Sequence, residues 1–477
     1  MLKFKSLGAS VITNRQRHLF KTIGASLMVV GLLVACGGGS GSSTGSSIAP
    51  TPDPVAGSGY PNAPASCSVD GQRAWLRDYM NDEYFWYDKQ GVPNAAATTM
   101  DGYLDSLLNK PIDRYSFAES TVASNQFFVE GTRTGYGYSL GWADTARTIL
   151  KVRLIEPLSP LGLGNLLKRG DTIISIDGFT PTQVFNGQPG AAGAEGVPRS
   201  FVVANDAGIQ RSFTVNSLTF KLSPVITSQV FTAANGDKVG YLLYEEFIAT
   251  GEAALGVAFN SFRAAGVKHV ILDFRYNGGG STTQARNIAS MVGGSGLNGR
   301  VFAQFRFSAK KSAQNFSQQF RSAGLPATAL EGVDKVMVIT SGSTASASEL
   351  VINSLRPFKN VTTVGSTTFG KPFAFLPRSA CDVEYNAVNL DVANAVGFAE
   401  YSDGFVPTCP VADDLTRQLG DPAEGRTAAA LAYIATGQCP APSGQSKPAA
   451  QATQQAATSK RFDLGAGESG PRRAKVD

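Results

Sequence analysis

Histidine is almost absent from this 477-residue chain, with His18 and His269 the whole complement. His18 lies in a basic N-terminal leader, so a processed protein would keep only one. Histidine-rich zinc sites are therefore disfavoured, and a Ser-His-Asp triad would rest on His269 alone. That residue stands in Val267-Lys268-His269-Val270 at the start of an apolar strand, where a structural or solvent-facing role is expected. A net charge of one sign is missing too. Lys3, Lys5, Arg15, Arg17 and Lys21 account for the whole formal excess of +5. The rest is balanced, so charge gives no reason to expect nucleic acid as a partner. No C-x-x-C spacing occurs among the 5 cysteines, and neither a metal nor another cofactor is expected. No apolar run reaches the roughly 20 residues of a membrane-spanning helix. A composition 43% hydrophobic and 17% charged excludes a wholly disordered or fibrous chain.

The leader has the order of a secretion signal. The last of its basic residues is Lys21, and the uncharged stretch 23–35 has the length of a signal h-region. It closes on Leu33-Val34-Ala35-Cys36, followed by Gly37-Gly38-Gly39. This resembles a bacterial lipobox, which implies that Cys36 is diacylated and becomes the mature N-terminus. The alternative is an ordinary cleavage site beside an unrelated cysteine. Gly37 in place of an acid resembles lipoproteins sent to the outer membrane, facing the periplasm. The expectation is a signal peptide over 1–35 and a flexible Gly/Ser/Pro tether over 36–66. In an oxidising compartment Cys67, Cys381, Cys409 and Cys439 would form two disulfides. Of the three connectivities, Cys381–Cys409 with Cys67–Cys439 is favoured, the second joining the start of the folded region to its end.

The composition then changes along the chain. Helical spacing with aromatics over 72–87, and a second helical run over 100–108, predict a small N-terminal helical domain at 67–125. Short β-rich runs mark 130–220. From 221 to 439 strands alternate with helices, which predicts an α/β core. Residues 440–477, rich in Ala, Gln and Ser, read as a disordered tail.

Two strand ends carry unusual loops. After the strand at 269–274 come Arg275-Tyr276-Asn277-Gly278-Gly279-Gly280. This lacks the spacing of either nucleotide-binding glycine motif, which leaves a tight turn or a backbone anion hole. After the strand at 335–340 comes Ser341-Gly342-Ser343-Thr344-Ala345-Ser346-Ala347-Ser348-Glu349. Ser346 and Glu349 fit a capping box. Equally, a serine at a helix start has free N–H groups beside it to hold an oxyanion, as a nucleophile requires. With histidine scarce the base must be another group, and a buried lysine can serve as the neutral amine. Lys371, in Thr367-Thr368-Phe369-Gly370-Lys371-Pro372, is the candidate. A further Ser-x-x-Lys, from Ser308 to Lys311, lacks the partner motif such a site needs.

At these residues the sequence resembles the C-terminal processing, or tail-specific, serine proteases over about residues 70–437. Ala345-Ser346-Ala347-Ser348-Glu349 is similar to the family's nucleophile segment, and Thr368-Phe369-Gly370-Lys371 to its base segment. Asp273-Phe274-Arg275-Tyr276-Asn277-Gly278-Gly279-Gly280 is similar to its glycine loop. The resemblance implies Ser346 as nucleophile, Lys371 as base, and an oxyanion hole from Ala347 with Gly279 or Gly280. It also implies a crotonase/ClpP-like βα spiral with an inserted PDZ domain, here 130–220. Gly137-Tyr138-Ser139-Leu140-Gly141 resembles the PDZ carboxylate-binding loop, so Tyr138, Ser139, Leu140 and Gly141 would receive C-terminal tails of protein or peptide substrates. Asp113-Arg114-Tyr115-Ser116 resembles the family's N-terminal region. One departure stands out: the family's glutamine four residues after the lysine is here Phe375. The expected function is a lipid-anchored serine endopeptidase with a Ser-Lys dyad. The alternative is a catalytically weak or inactive PDZ-based peptide-binding lipoprotein.

Overall fold

The computed structural model describes residues 60–321 and 328–441. The signal peptide, Cys36, most of the tether and nearly all of the tail lie outside the described residues. No helix among the described residues is long and apolar enough to cross a membrane.

The centre is a six-stranded sheet in the order Cys409–Pro410, Asn360–Gly365, Lys335–Thr340, His269–Asp273, Lys238–Tyr244, Val225–Thr232. All neighbours pair in parallel except the last strand, which is antiparallel. Strands such as Lys-Val-Gly-Tyr-Leu-Leu-Tyr read apolar on both sides, as parallel strands covered on both faces do. Side chains alternate along them. Val239, Tyr241, Ile271, Met337, Ile339 and Val364 pack against Ala429, Ala430 and Ile434 of the C-terminal helix Gly425–Thr436. Leu242, Val270, Leu272, Val336 and Val338 pack on the opposite layer, formed by the helices Glu252–Ala264, Thr282–Gly293 and Ala347–Leu355. The expected α/β core is therefore present. Three loops leave the carboxyl ends of three adjacent parallel strands, the place where open α/β sheets build their sites. These are 274–281, 341–346 and 366–372.

The expected β-rich unit is a five-stranded antiparallel sheet running Tyr138–Trp142, Leu150–Ile155, Thr172–Ile176, Pro198–Ala204 and Gln210–Asn216. It has its own core around Leu140, Val152, Ile173 and Phe201. Its two connections to the rest of the chain pair as a ribbon, Thr132–Gly135 against Leu218–Lys221, which makes it an insertion.

The N-terminal helices Val69–Glu83 and Met100–Leu107 are capped by Ser68 and Thr99. Their aromatic core, with Trp75 stacked on Tyr79, also takes in Phe375, Tyr385 and Val388 from far along the chain. The strand Phe117–Ser120 pairs with Val383–Asn386. Tyr60, expected in the tether, is buried and meets Trp75 and Tyr79 edge-on.

The expected disulfide pairing is overturned: the bridges are Cys67–Cys381 and Cys409–Cys439. Cys381 lies in the turn between Arg378–Ala380 and Val383–Asn386, the hairpin that the N-terminal helices cover. Cys409 sits on the edge of the central sheet, and Cys439 just beyond the C-terminal helix. Closeness in sequence between 381 and 409 hides membership of different sheets. Unreduced peptide mapping should recover these two pairs. Replacing Cys67 and Cys381 together by Ser should lower stability in urea unfolding by about 2–4 kcal/mol.

Candidate active site

Ser346 is held at φ 62°, ψ −112°, a strained backbone for a residue with a Cβ, and is 1% exposed. Such outliers persist where the surroundings over-determine them, which is common at functional sites. The surroundings here are specific. The Ala345 amide donates to the Asn277 carbonyl at 3.2 Å, and Ser348 Oγ donates to the same oxygen at 3.1 Å. Thr344 Oγ1 donates to the Phe274 carbonyl at 2.7 Å. The serine loop is thus stitched to the glycine loop.

Glu349 binds the third loop to the first two. It is fully buried one turn into the Ala347–Leu355 helix. Its Oε2 accepts the Ser346 amide at 2.8 Å and the Lys371 amide at 2.9 Å. Its Oε1 accepts the Gly370 amide at 2.7 Å and Thr368 Oγ1 at 2.6 Å. The capping-box expectation captured the Ser346 bond alone. The carboxylate spans the 25 residues between the two candidate catalytic side chains, with one oxygen touching both backbones. Burial raises the Glu349 pKa above the ordinary carboxyl value, against the four donors that lower it. Gly370, at φ 87°, lets the loop turn, and a Cβ there would lie 2.2 Å from the Ser402 carbonyl oxygen.

Lys371 is 2% exposed, and its Nζ lies 3.7 Å from the centroid of the Phe375 ring. The residue that departs from the resembled pattern therefore faces the lysine amine with an aromatic face. Phe375 is fully buried and also meets Phe117 at 5.9 Å, so it serves the N-terminal aromatic core as well.

In the glycine loop Gly279 and Gly280 take φ 107° and 134°. The Gly279 amide donates to Asn277 Oδ1 at 2.8 Å, and its carbonyl accepts the Phe247 amide at 3.1 Å. A Cβ on Gly280 would meet the Phe247 carbonyl oxygen at 2.3 Å. Asn277 is itself buried and anchored to the Tyr244 carbonyl at 2.8 Å.

Behind the loop lies a buried charge cluster that sequence reasoning missed, since its members are scattered. Arg275 donates to Asp273 and to both oxygens of Glu424, the latter at 2.7 and 2.8 Å. Burial alone would lower the Arg275 pKa, but Asp273 and Glu424 outweigh it and hold the guanidinium charged. Arg169, in the turn that leads into the inserted sheet's third strand, donates to Tyr276 Oη at 2.6 Å and to Asp413 Oδ1 at 2.8 Å. The inserted sheet thus touches the residue that precedes Asn277. Tyr138, Ser139, Leu140 and Gly141 lie on a terminal strand of that sheet, where Gly141 packs against Arg153, whose guanidinium is 5.9 Å from the centroid of the Tyr276 ring. His269 pairs with Asp237 at 3.2 Å, at the opposite end of its strand from the glycine loop. Lys311 is tied to Asp82 and Glu83, each at 2.7 Å.

Residues 238–389 match the family model for Peptidase family S41, and 71–117 match the Peptidase S41 N-terminal domain. Over these two segments the chain is similar to the S41 peptidases. It is a serine-type peptidase, a hydrolase acting on protein substrates. The carboxyl-terminal-processing protease of Picosynechococcus sp. is 24% identical over 63% of this chain and 70% of its own length. That of Synechocystis sp. is 28% identical over 63% of this chain and 68% of its own. The crystal structure of an S41 protease candidate from Bacteroides fragilis has a TM-score of 0.60 at 25% identity, covering 76% of this chain and 97% of that one.

Glu349→Gln keeps the shape but turns an acceptor oxygen into an NH2 group facing N–H donors. It should cost about 1–3 kcal/mol of stability and, by misplacing the loops, lower turnover roughly 100-fold. Thermal melts and steady-state rates check both. Because folding raises the Glu349 pKa, the native state holds this proton to a higher pH than the unfolded chain. Its contribution to stability therefore falls as pH rises through that window. Activity should fail on the acid side at a pH above the ordinary carboxyl range, where the protonated oxygen no longer accepts every donor.

Proposed function

We propose that Ser346 and Lys371 form a Ser-Lys dyad that hydrolyses peptide bonds in exported protein substrates presented by their C-terminal tails. The observation that carries this reading is the Glu349 carboxylate, which holds the backbones of both residues in one buried site. The neutral Lys371 amine takes the Ser346 hydroxyl proton as Oγ attacks the substrate carbonyl. The tetrahedral oxyanion is received by the N–H groups of Ala347 and Gly280, since the Gly279 amide is committed to Asn277. The lysine ammonium then protonates the leaving amine. Water, deprotonated by the same amine, releases the acyl group from the serine.

The inserted sheet is read as a PDZ domain. Among the described residues Tyr138–Trp142 is a terminal strand of the sheet, paired with Leu150–Ile155, the position at which a PDZ domain adds a peptide strand. The Arg169 contact with Tyr276 gives tail binding a route to the glycine loop. The leader and Cys36 support export and lipid anchoring in the bacterial cell envelope. Phe375 against Lys371 favours a second reading, a weak or inactive peptide-binding lipoprotein, because the aromatic face attracts the ammonium while catalysis needs the amine.

The test is cleavage of an unfolded protein, followed by mass spectrometry over about pH 6 to 10, beside Ser346→Ala and Lys371→Ala. Fragments from the wild type alone, rising toward alkaline pH, are expected. Equal cleavage by Ser346→Ala would overturn the dyad, and peptide binding without turnover in any protein would favour the second reading. Phe375→Leu removes the ring face and should move the alkaline rise in kcat/KM to lower pH.

A further inference from the structure

Two consecutive peptide groups carry Lys371, and both are held at both ends. The first joins Phe369 to Gly370. Its N–H donates to Glu349 Oε1 at 2.7 Å, and its C=O accepts Arg114 Nη2 at 2.9 Å. The second joins Gly370 to Lys371. Its N–H donates to Glu349 Oε2 at 2.9 Å, and its C=O accepts Tyr115 Oη at 2.8 Å, with Arg114 Nη2 at 3.4 Å. Glu349 belongs to the peptidase core, whereas Arg114 and Tyr115 come from the N-terminal segment, 255 residues away in sequence. Arg114 Nη2 also donates to the Ser402 carbonyl at 2.9 Å, and its guanidinium lies 4.6 Å from the centroid of the Phe369 ring.

The two clamping side chains are themselves held. Asp113, fully buried, accepts the Tyr115 amide, the Ser116 amide, Ser116 Oγ and Tyr84 Oη at 2.6 to 2.9 Å. Ser116 Oγ in turn accepts the Val388 amide at 2.9 Å. The Cys67–Cys381 bridge fastens the helix Val69–Glu83, which ends at Tyr84, to the hairpin that follows Phe375. The bonds that Arg114 and Tyr115 make to Phe369 and Gly370 fall on the base loop.

We infer that Arg114 and Tyr115 are positioning residues for the general base, so that the N-terminal segment sets where the Lys371 amine stands. The inference rests on the dyad reading. A peptide group pinned at its N–H alone rotates about that bond, and rotation of either group moves the lysine side chain away from the serine. Pinning the carbonyl as well removes that freedom, which is the ordering a proton transfer over one hydrogen-bond length needs. The segment Asp113-Arg114-Tyr115-Ser116 supplies the carboxylate that orders the turn, the two donors that reach the loop, and the hydroxyl that ties the turn to Val388.

The test uses the full chain, oxidised, as Tyr115→Phe, Arg114→Ala and Arg114→Lys. Three readouts are taken: steady-state kinetics against pH, thermal melts, and hydrogen exchange of peptides covering 366–375. Tyr115→Phe is expected to lower kcat about tenfold with KM little changed, to displace the alkaline limb of the pH profile, and to speed exchange in 366–375 while the melt stays near that of the wild type. Arg114→Ala should do more. Arg114→Lys, which still offers several donors from one nitrogen, should recover part of the loss. Wild-type kcat, pH profile and exchange in folded Tyr115→Phe and Arg114→Ala would overturn the inference. So would losses that merely track a lowered melt with an unchanged pH profile. Faster local exchange in the variants, in a protein whose wild type shows no Ser346-dependent turnover, would uphold the grip on the loop and overturn the protease reading instead.

Discussion

A carboxylate buried without an ion-pair partner is an expensive thing to fold, and among the described residues Glu349 is one. Its charge is balanced by four hydrogen-bond donors, three of them backbone amides, that the chain must bring from two separate loops. The loops cannot drift without stranding that charge in an apolar interior. Ser346 keeps its unfavourable backbone angles under the same compulsion, since its amide reaches the carboxylate from that conformation. The geometry of the site is therefore enforced by the desolvation of one side chain.

The parallel sheet makes this enforcement possible. In-register pairing of three adjacent strands brings Asp273, Ile339 and Val364 level, so the loops that follow start side by side. Small residues then decide how near they come: Gly280 and Gly370 occupy places where any Cβ would strike a carbonyl. The Arg275 cluster closes the underside, and through Tyr276 and Asp413 it meets Arg169 of the inserted sheet. The inserted sheet therefore has a short polar connection to the glycine loop, from Arg169 through Tyr276.

What could be read in advance was local. Strand–loop–helix units announce themselves by apolar runs ending in small residues, and the Ser346 and Lys371 segments are short, distinctive and properly ordered. Glu349 was visible as a cap, because a cap needs only three residues of context. Its bonds to Thr368, Gly370 and Lys371 needed the fold. The disulfides were misread for a related reason: Cys67 meets Cys381 only because the N-terminal helices settle on a late hairpin, and no spacing encodes that docking. The same docking lets the N-terminal helical segment share its aromatic core with Phe375, Tyr385 and Val388. It also gives Phe375 a physical reason. The position faces the lysine on one side and Phe117 on the other, and a glutamine there would put an amide into an aromatic interior.

The bridge from Cys67 to Cys381 has a topological consequence. It closes a loop of chain that contains the whole inserted sheet, the glycine loop, Ser346 and Lys371. A protease is exposed to its own activity, and the glycine-rich segment 186–196, largely open to solvent, is an accessible place to be cut. A single cut anywhere inside that loop leaves the two pieces covalently joined, with both halves of the site still attached to one another. Self-nicked molecules would stay one covalent unit under oxidising conditions, heavier by the one water taken up at the cut, and separate into fragments only on reduction and denaturation.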